Sequence, residues 1–114
     1  MGLNIIWLPV YLSAFFFGNE EASRQTDPCN IFGVVYVEPN ERRADYVVYE
    51  EKTEAFADLN VFKEENKLLA DDAGLWYFTD KRDLADFSIY IANDPSNVHF
   101  TIYYTDVISH AGCD

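Results

Sequence analysis

A six-residue unit recurs along this chain at a fixed spacing, and that spacing restricts the fold more than any other feature. Ala44-Asp45-Tyr46-Val47-Val48-Tyr49 is one copy, and Ala57-Asp58-Leu59-Asn60-Val61-Phe62 follows 13 residues later. Ala85-Asp86-Phe87-Ser88-Ile89-Tyr90 is a third, and Val98-His99-Phe100-Thr101-Ile102-Tyr103 a drifted fourth. Ala44, Ala57 and Ala70 are 13 apart, Ala70 to Ala85 is 15, and Ala85, Val98 and Ala111 return to 13. Ile31 to Tyr36 lies one step before Ala44 and matches only the end of the unit, Val35-Tyr36. A fixed period makes each copy one structural unit that buries its apolar face against its neighbours.

Within a copy the apolar residues alternate, as in a strand with one buried face. Tyr46 and Val48, Leu59 and Val61, Phe87 and Ile89, and Phe100 and Ile102 share the core side. The other side carries Asp, Asn, Ser, His or Thr and then an aromatic residue: Tyr36, Tyr49, Phe62, Tyr77, Tyr90 or Tyr103. The recurrence of that ring makes cross-strand neighbours of the aromatics the expectation, a ladder holding the sheet. The alternative is an exposed row, with Tyr36, Tyr49, Tyr90 and Tyr103 as a binding face for a sugar or peptide. The linkers are charged or turn-rich and leave room for about one turn of helix. The small residue closing each one (Ala57, Ala70, Ala85, Ala111) indicates two backbones in close approach. The middle copy, Ala70 to Phe78, carries a two-residue insertion, with Gly74 suited to a positive φ and Trp76 as a central core plug.

At 114 residues the chain holds one small domain. Residues 1–23 are expected to be a removed secretory signal or a hydrophobic anchor. Ile5 to Phe17 is apolar but shorter than a bilayer span, and no Lys or Arg precedes it. Residues 24–29 read as a linker and 30–114 as the repeat domain. The formal net charge of −12 repels phosphate backbones and anionic lipid, which argues against nucleic acid and against membrane insertion of the mature domain. Cys29 and Cys113 bracket the repeats. An even cysteine count in a small exported chain favours a disulfide, with two free thiols as the alternative.

The chemistry-bearing residues form no recognisable catalytic set. Asp45, Asp58, Asp71 and Asp86 recur with the period, but calcium-binding repeats need glycine-rich turns, which are missing here. The histidines, His99 and His110, sit in no nucleophile motif, and no phosphate loop exists. Asp71 and Asp72 with Asp80 or Asp83 could supply a glycosidase-like carboxylate pair, as could any acidic surface. No enzyme activity, cofactor or metal is expected.

The chain resembles a family of small, functionally uncharacterised bacterial tandem-repeat proteins whose unit runs Ala-Asp-apolar-x-apolar-aromatic. The matching pieces are Asp71 to Phe78 with Gly74-Leu75-Trp76-Tyr77-Phe78, then Phe78-Thr79-Asp80, Leu84-Ala85-Asp86, Tyr104-Thr105-Asp106 and the closing Ser109-His110-Ala111-Gly112. The resemblance implies an all-β domain of about six strand-turn repeats threaded as a deep seven-crossing torus knot, the septoil knot. Val98-His99 departs from the Ala-Asp of the unit. Together these readings give a non-catalytic, structurally robust module, monomeric, secreted or periplasmic, or else anchored through residues 5–17. Its expected partner is a protein or a glycan, and the alternative function is a small carbohydrate- or ligand-binding module using the tyrosine face.

Overall fold

A computed structural model of the protein describes residues 27–113, so the expected signal or anchor at 1–23 lies outside the described residues. Each copy of the repeat is one five-residue strand: β1 Gly33–Val37, β2 Tyr46–Glu50, β3 Leu59–Lys63, β4 Leu75–Thr79, β5 Phe87–Ile91 and β6 Phe100–Tyr104. All neighbouring strands run parallel, and they close into a barrel in the order β1-β4-β3-β6-β2-β5. Taking the shorter way round, each connection moves two places along that ring, except β3 to β4, which moves one. The sense never reverses, so the path winds one and a half times round the barrel.

Parallel neighbours need a return connection outside the sheet. Here the returns are short, and all but β5–β6 carry a single 3-10 turn: Glu41–Arg43, Glu54–Phe56, Lys67–Leu69 and Arg82–Leu84, with a further one, Ile108–His110, after β6. The alanine that begins the next copy closes each turn, its N–H donating back to the turn's first carbonyl, as from Ala57 to Glu54 at 3.2 Å. Asn40 and Asn66 open two of the turns, their side chains accepting from Arg42 and Leu68 N–H at 3.0 and 2.9 Å. The β5–β6 connection differs and has no such turn.

The inward residues fill the barrel. Val35, Val48, Leu59, Val61, Trp76, Ile89, Phe100 and Ile102 are buried, and Ile31 joins them from outside the strands. At about 25 cal/mol per Å² of apolar surface, such a cluster is the main stabilising term. Trp76 is fully enclosed and its Nε1 donates to the Ile31 carbonyl at 3.1 Å, so it is the expected plug and presents no face to a ligand. Tyr46 and Phe87, expected in the core, are half-buried instead. They lie at one mouth of the barrel, where their rings meet edge-on with centroids 5.8 Å apart. Lys63 covers the opposite mouth, with Nζ 4.1 Å above the Tyr104 ring and 5.6 Å from that of Phe78.

The outer face is less exposed than alternation alone suggests, because the returning connections cross it. Val47, Asn60 and Ser88 point outward yet are buried. Glu38, just after β1, is 2 % exposed and forms an ion pair with Arg82 of a crossing turn.

Candidate functional site

Three arrangements could carry function: the junction of the chain ends, the recurring aspartates, and the outer tyrosines. The junction is built on the mid-chain insertion. Gly74 has φ +80°, and a Cβ there would stand 2.3 Å from Gly112 N and 2.5 Å from Asn60 O. Absence of that Cβ lets the C-terminal segment lie against β3, where Asn60 and Gly112 exchange two backbone hydrogen bonds of 3.0 and 2.8 Å. From the other side, Gly74 N–H donates to the Ile31 carbonyl at 3.2 Å. Both ends of the domain therefore converge on its middle copy. Cys29 and Cys113 are joined there by a disulfide, with Cα atoms 5.4 Å apart.

Of the recurring aspartates, Asp45, Asp58 and Asp86 fasten one strand to another, while Asp71 is exposed and makes no such bond. Asp45 N–H donates to the Ser88 carbonyl, and its Oδ2 accepts from Ser88 N–H at 2.9 Å. Asp58 repeats this with Thr101, its Oδ2 accepting from Thr101 N–H at 3.0 Å. Asp86 Oδ2 accepts from Val34 N–H at 2.9 Å. His99 replaces the aspartate in its copy and accepts from Val47 N–H through Nδ1 at 2.9 Å. A carboxylate committed to a backbone N–H is both occupied and held apart from its fellows. Among the described residues no three acidic, histidine or cysteine side chains converge as ion ligands.

The tyrosines form neither a direct ladder nor a flat row. Tyr36 pairs with Ser88, Tyr90 with Val47, Tyr49 with Thr101, and Tyr103 with Asn60. In every case the next aromatic lies two residues further along its strand. Closing a barrel requires such a stagger between strands, and here it turns expected neighbours into a diagonal stair. Tyr36, Tyr49, Tyr90 and Tyr103 are all half-buried, and Arg82 lies over Tyr36 at 5.2 Å from the ring centroid.

Two outer grooves contain rings of this stair. The larger, about 640 Å³, runs over β1 and β4 and is lined by Val34, Tyr77, Lys67, Lys81, Glu65, Asn66, Thr79, Asp80 and Leu84. The second, about 250 Å³, lies over β2 and β5 and is lined by Tyr90, Val47, Ala92, Val98, Glu41, Asn93, Asp94, Ser96 and Asn97. It shares Glu41, Val47, Ser96, Asn97 and Val98 with an adjoining cavity of about 370 Å³ that His99 also lines. Asp94 is held below the usual carboxylate range by hydrogen bonds from the Ser96 hydroxyl and N–H, so it is ionised at neutral pH. Tyr77 and Tyr90 belong to the recurring aromatic position, whereas the polar residues of both walls were not separable in sequence from ordinary turn residues. The one signal was the break in the repeat at Val98-His99.

The family model for the 7(1) septoil knot domain matches residues 28–114. The chain belongs to the septoil knot domain family. The match begins at the Pro28–Asn30 turn, whose N–H at Cys29 donates to Asp27 at 3.0 Å, and it includes both cysteines, all six strands and the terminal Gly112. No curated protein and no solved structure proved similar to the chain. As a septoil knot domain, the protein has an all-β barrel whose disulfide is of the kind that persists in oxidising, extracellular-type compartments. Among the described residues no helix is long and apolar enough to cross a membrane.

Proposed function

We propose that this septoil knot domain is a non-catalytic, exported interaction or structural module of the cell envelope or its surroundings, and that its threaded, covalently closed chain serves durability. The supporting observation is the Cys29–Cys113 bond where the two ends of the described domain meet. Untying a threaded domain starts at its ends, and here the two domain ends are bonded to one another through Cys29 and Cys113. The bond spans 84 residues, for which chain-entropy models give on the order of 4–5 kcal/mol. Expressed with its own residues 1–23 in a bacterium, the protein should accumulate outside the cytoplasm with both cysteines oxidised. Recovery of a reduced protein from the cytoplasm alone would overturn the proposal.

A second reading, a small carbohydrate- or ligand-binding module using outer tyrosines, is favoured by the position of Tyr90 on the floor of a groove with polar walls. It assigns the domain a glycan partner in place of an unspecified protein, with the domain acting as a monomer.

A further inference from the structure

We propose that the Tyr90 groove is a binding site for a neutral pyranose, either a free sugar or a residue of a glycan. This names the ligand class for the carbohydrate-binding reading above and rests on it.

Two departures from the repeat meet at this place. The β5–β6 connection has no 3-10 turn, unlike the others between strands that keep the 13-residue spacing. It is instead the polar loop Asn93-Asp94-Pro95-Ser96-Asn97, fixed by the Asp94 carboxylate, which accepts from Ser96 N–H at 2.9 Å. The copy that follows opens with Val98-His99 in place of Ala-Asp. His99 still performs the strand-fastening role, accepting the Val47 N–H through Nδ1. Neutral imidazole accepting at Nδ1 carries its proton on Nε2, which adds a donor that an aspartate cannot supply. Fastening the strand thus needs no histidine, and crossing the barrel needs no such loop. Both changes add polar groups to the rim of one cavity.

The composition of the groove selects the ligand. Tyr90 and Val47, paired across β5 and β2, give an apolar floor. Glu41, Asn93, Asn97 and His99 surround it with acceptors and donors. A pyranose has the complementary form, a C–H face that rests on an aromatic ring and an edge of hydroxyls that both donate and accept. About 250 Å³ with an adjoining 370 Å³ accommodates one ring and the start of a second. Among the described residues no Lys or Arg lines either cavity while Glu41 and Asp94 do, so phosphate, sulfate and uronate are disfavoured. The larger Tyr77 groove lacks this coincidence: its walls come from connections that retain their 3-10 turns, and Lys67 and Lys81 stand there among Glu65 and Asp80.

The test is an amide-resolved NMR titration of the oxidised full chain with methyl β-glucoside, methyl β-galactoside and methyl N-acetyl-β-glucosaminide, with glucuronate and inorganic phosphate as the anionic arms. At least one neutral glycoside should give saturable shifts centred on Tyr90, Asn93 and Asn97. Tyr90→Ala should weaken that affinity about tenfold, the equivalent of roughly 1.4 kcal/mol. Tyr90→Phe, which keeps the ring and the fold, should stay within about twofold, since stacking rather than the hydroxyl carries the floor contact. Asn97→Ala, in the exposed loop, should weaken binding with the spectrum otherwise intact. No saturable response to any neutral sugar overturns the proposal, as does tighter binding of glucuronate or phosphate. Saturable shifts centred on Tyr36, Tyr49 or Tyr103 that survive Tyr90→Ala would overturn this site while leaving the broader carbohydrate-binding reading standing.

Discussion

Replacing Gly74 with alanine tests how the domain is closed. The new Cβ would lie 2.3 Å from Gly112 N and 2.5 Å from Asn60 O, and both are backbone atoms that no rotamer change can move aside. The φ of +80° adds a cost of its own, about 1–2 kcal/mol for a residue with a side chain. Relief of the clash requires Gly112 to leave β3 and Gly74 to draw back from Asn60 O, which breaks the two Asn60–Gly112 hydrogen bonds, each worth about 0.5–1.5 kcal/mol. The expected loss is about 2–5 kcal/mol in urea unfolding, seen as a lower midpoint at unchanged slope. Amide exchange at Asn60 should accelerate in the same variant, because its partner has been displaced. Reduction of the disulfide frees the same C-terminal segment, so its cost and that of Gly74→Ala should be less than additive. A loss below about 1 kcal/mol, or an Asn60 amide as protected as before, would refute the view that both ends are seated on this glycine.

Two further expectations follow from the strand fasteners and the barrel mouth. Asp45→Ala, which removes the acceptor of the Ser88 backbone N–H, should cost about 1 kcal/mol, modest because the carboxylate is exposed; a loss near zero would make Asp45 a solvated surface residue. Burial, aided by Glu50, pushes the Tyr104 phenol up to about 12. The folded state then keeps a proton that the unfolded chain releases near pH 10, so this stabilisation is complete below about pH 10 and is lost as pH rises toward 12. Tyr104→Phe should flatten that alkaline decline in unfolding free energy, and an unchanged slope would place the titration elsewhere.

Much of the architecture was legible because the repeat states it six times. The alternation in each copy placed Val48, Leu59, Val61, Ile89, Phe100 and Ile102 inside, and the exceptional middle copy pointed to Trp76 as the plug. The bracketing positions of Cys29 and Cys113 indicated their pairing, since residues flanking a closed unit have reason to meet. Strand order, and the stagger of two residues per strand, were not legible. They follow from closing the sheet, a global condition that no single copy contains. That stagger is why the tyrosines are diagonal neighbours and not a ladder. The burial of Asn60, Ser88 and Glu38 was hidden for a related reason, as it depends on which connection crosses which strand. The aspartates looked like a possible ion-binding series because their partners lie 43 or 52 residues away. The Tyr90 groove left only a faint mark, the loss of Ala-Asp at Val98-His99, which gains meaning once the Asn93–Asn97 loop is seen beside it.

Mechanical extension tests most directly whether the end-bonded domain is threaded as a knot. Handles placed at the two ends of the 27–114 domain would be pulled apart under oxidising and then reducing conditions. With Cys29–Cys113 intact, the barrel residues between the cysteines should not extend. After reduction an unthreaded chain of this length would reach roughly 300 Å, from its length at full extension. A septoil-knotted chain should stop well short of that in every pull, because the residues in the tightened knot cannot extend, and it should regain the native barrel on release. Extension to the full contour length after reduction would contradict the account.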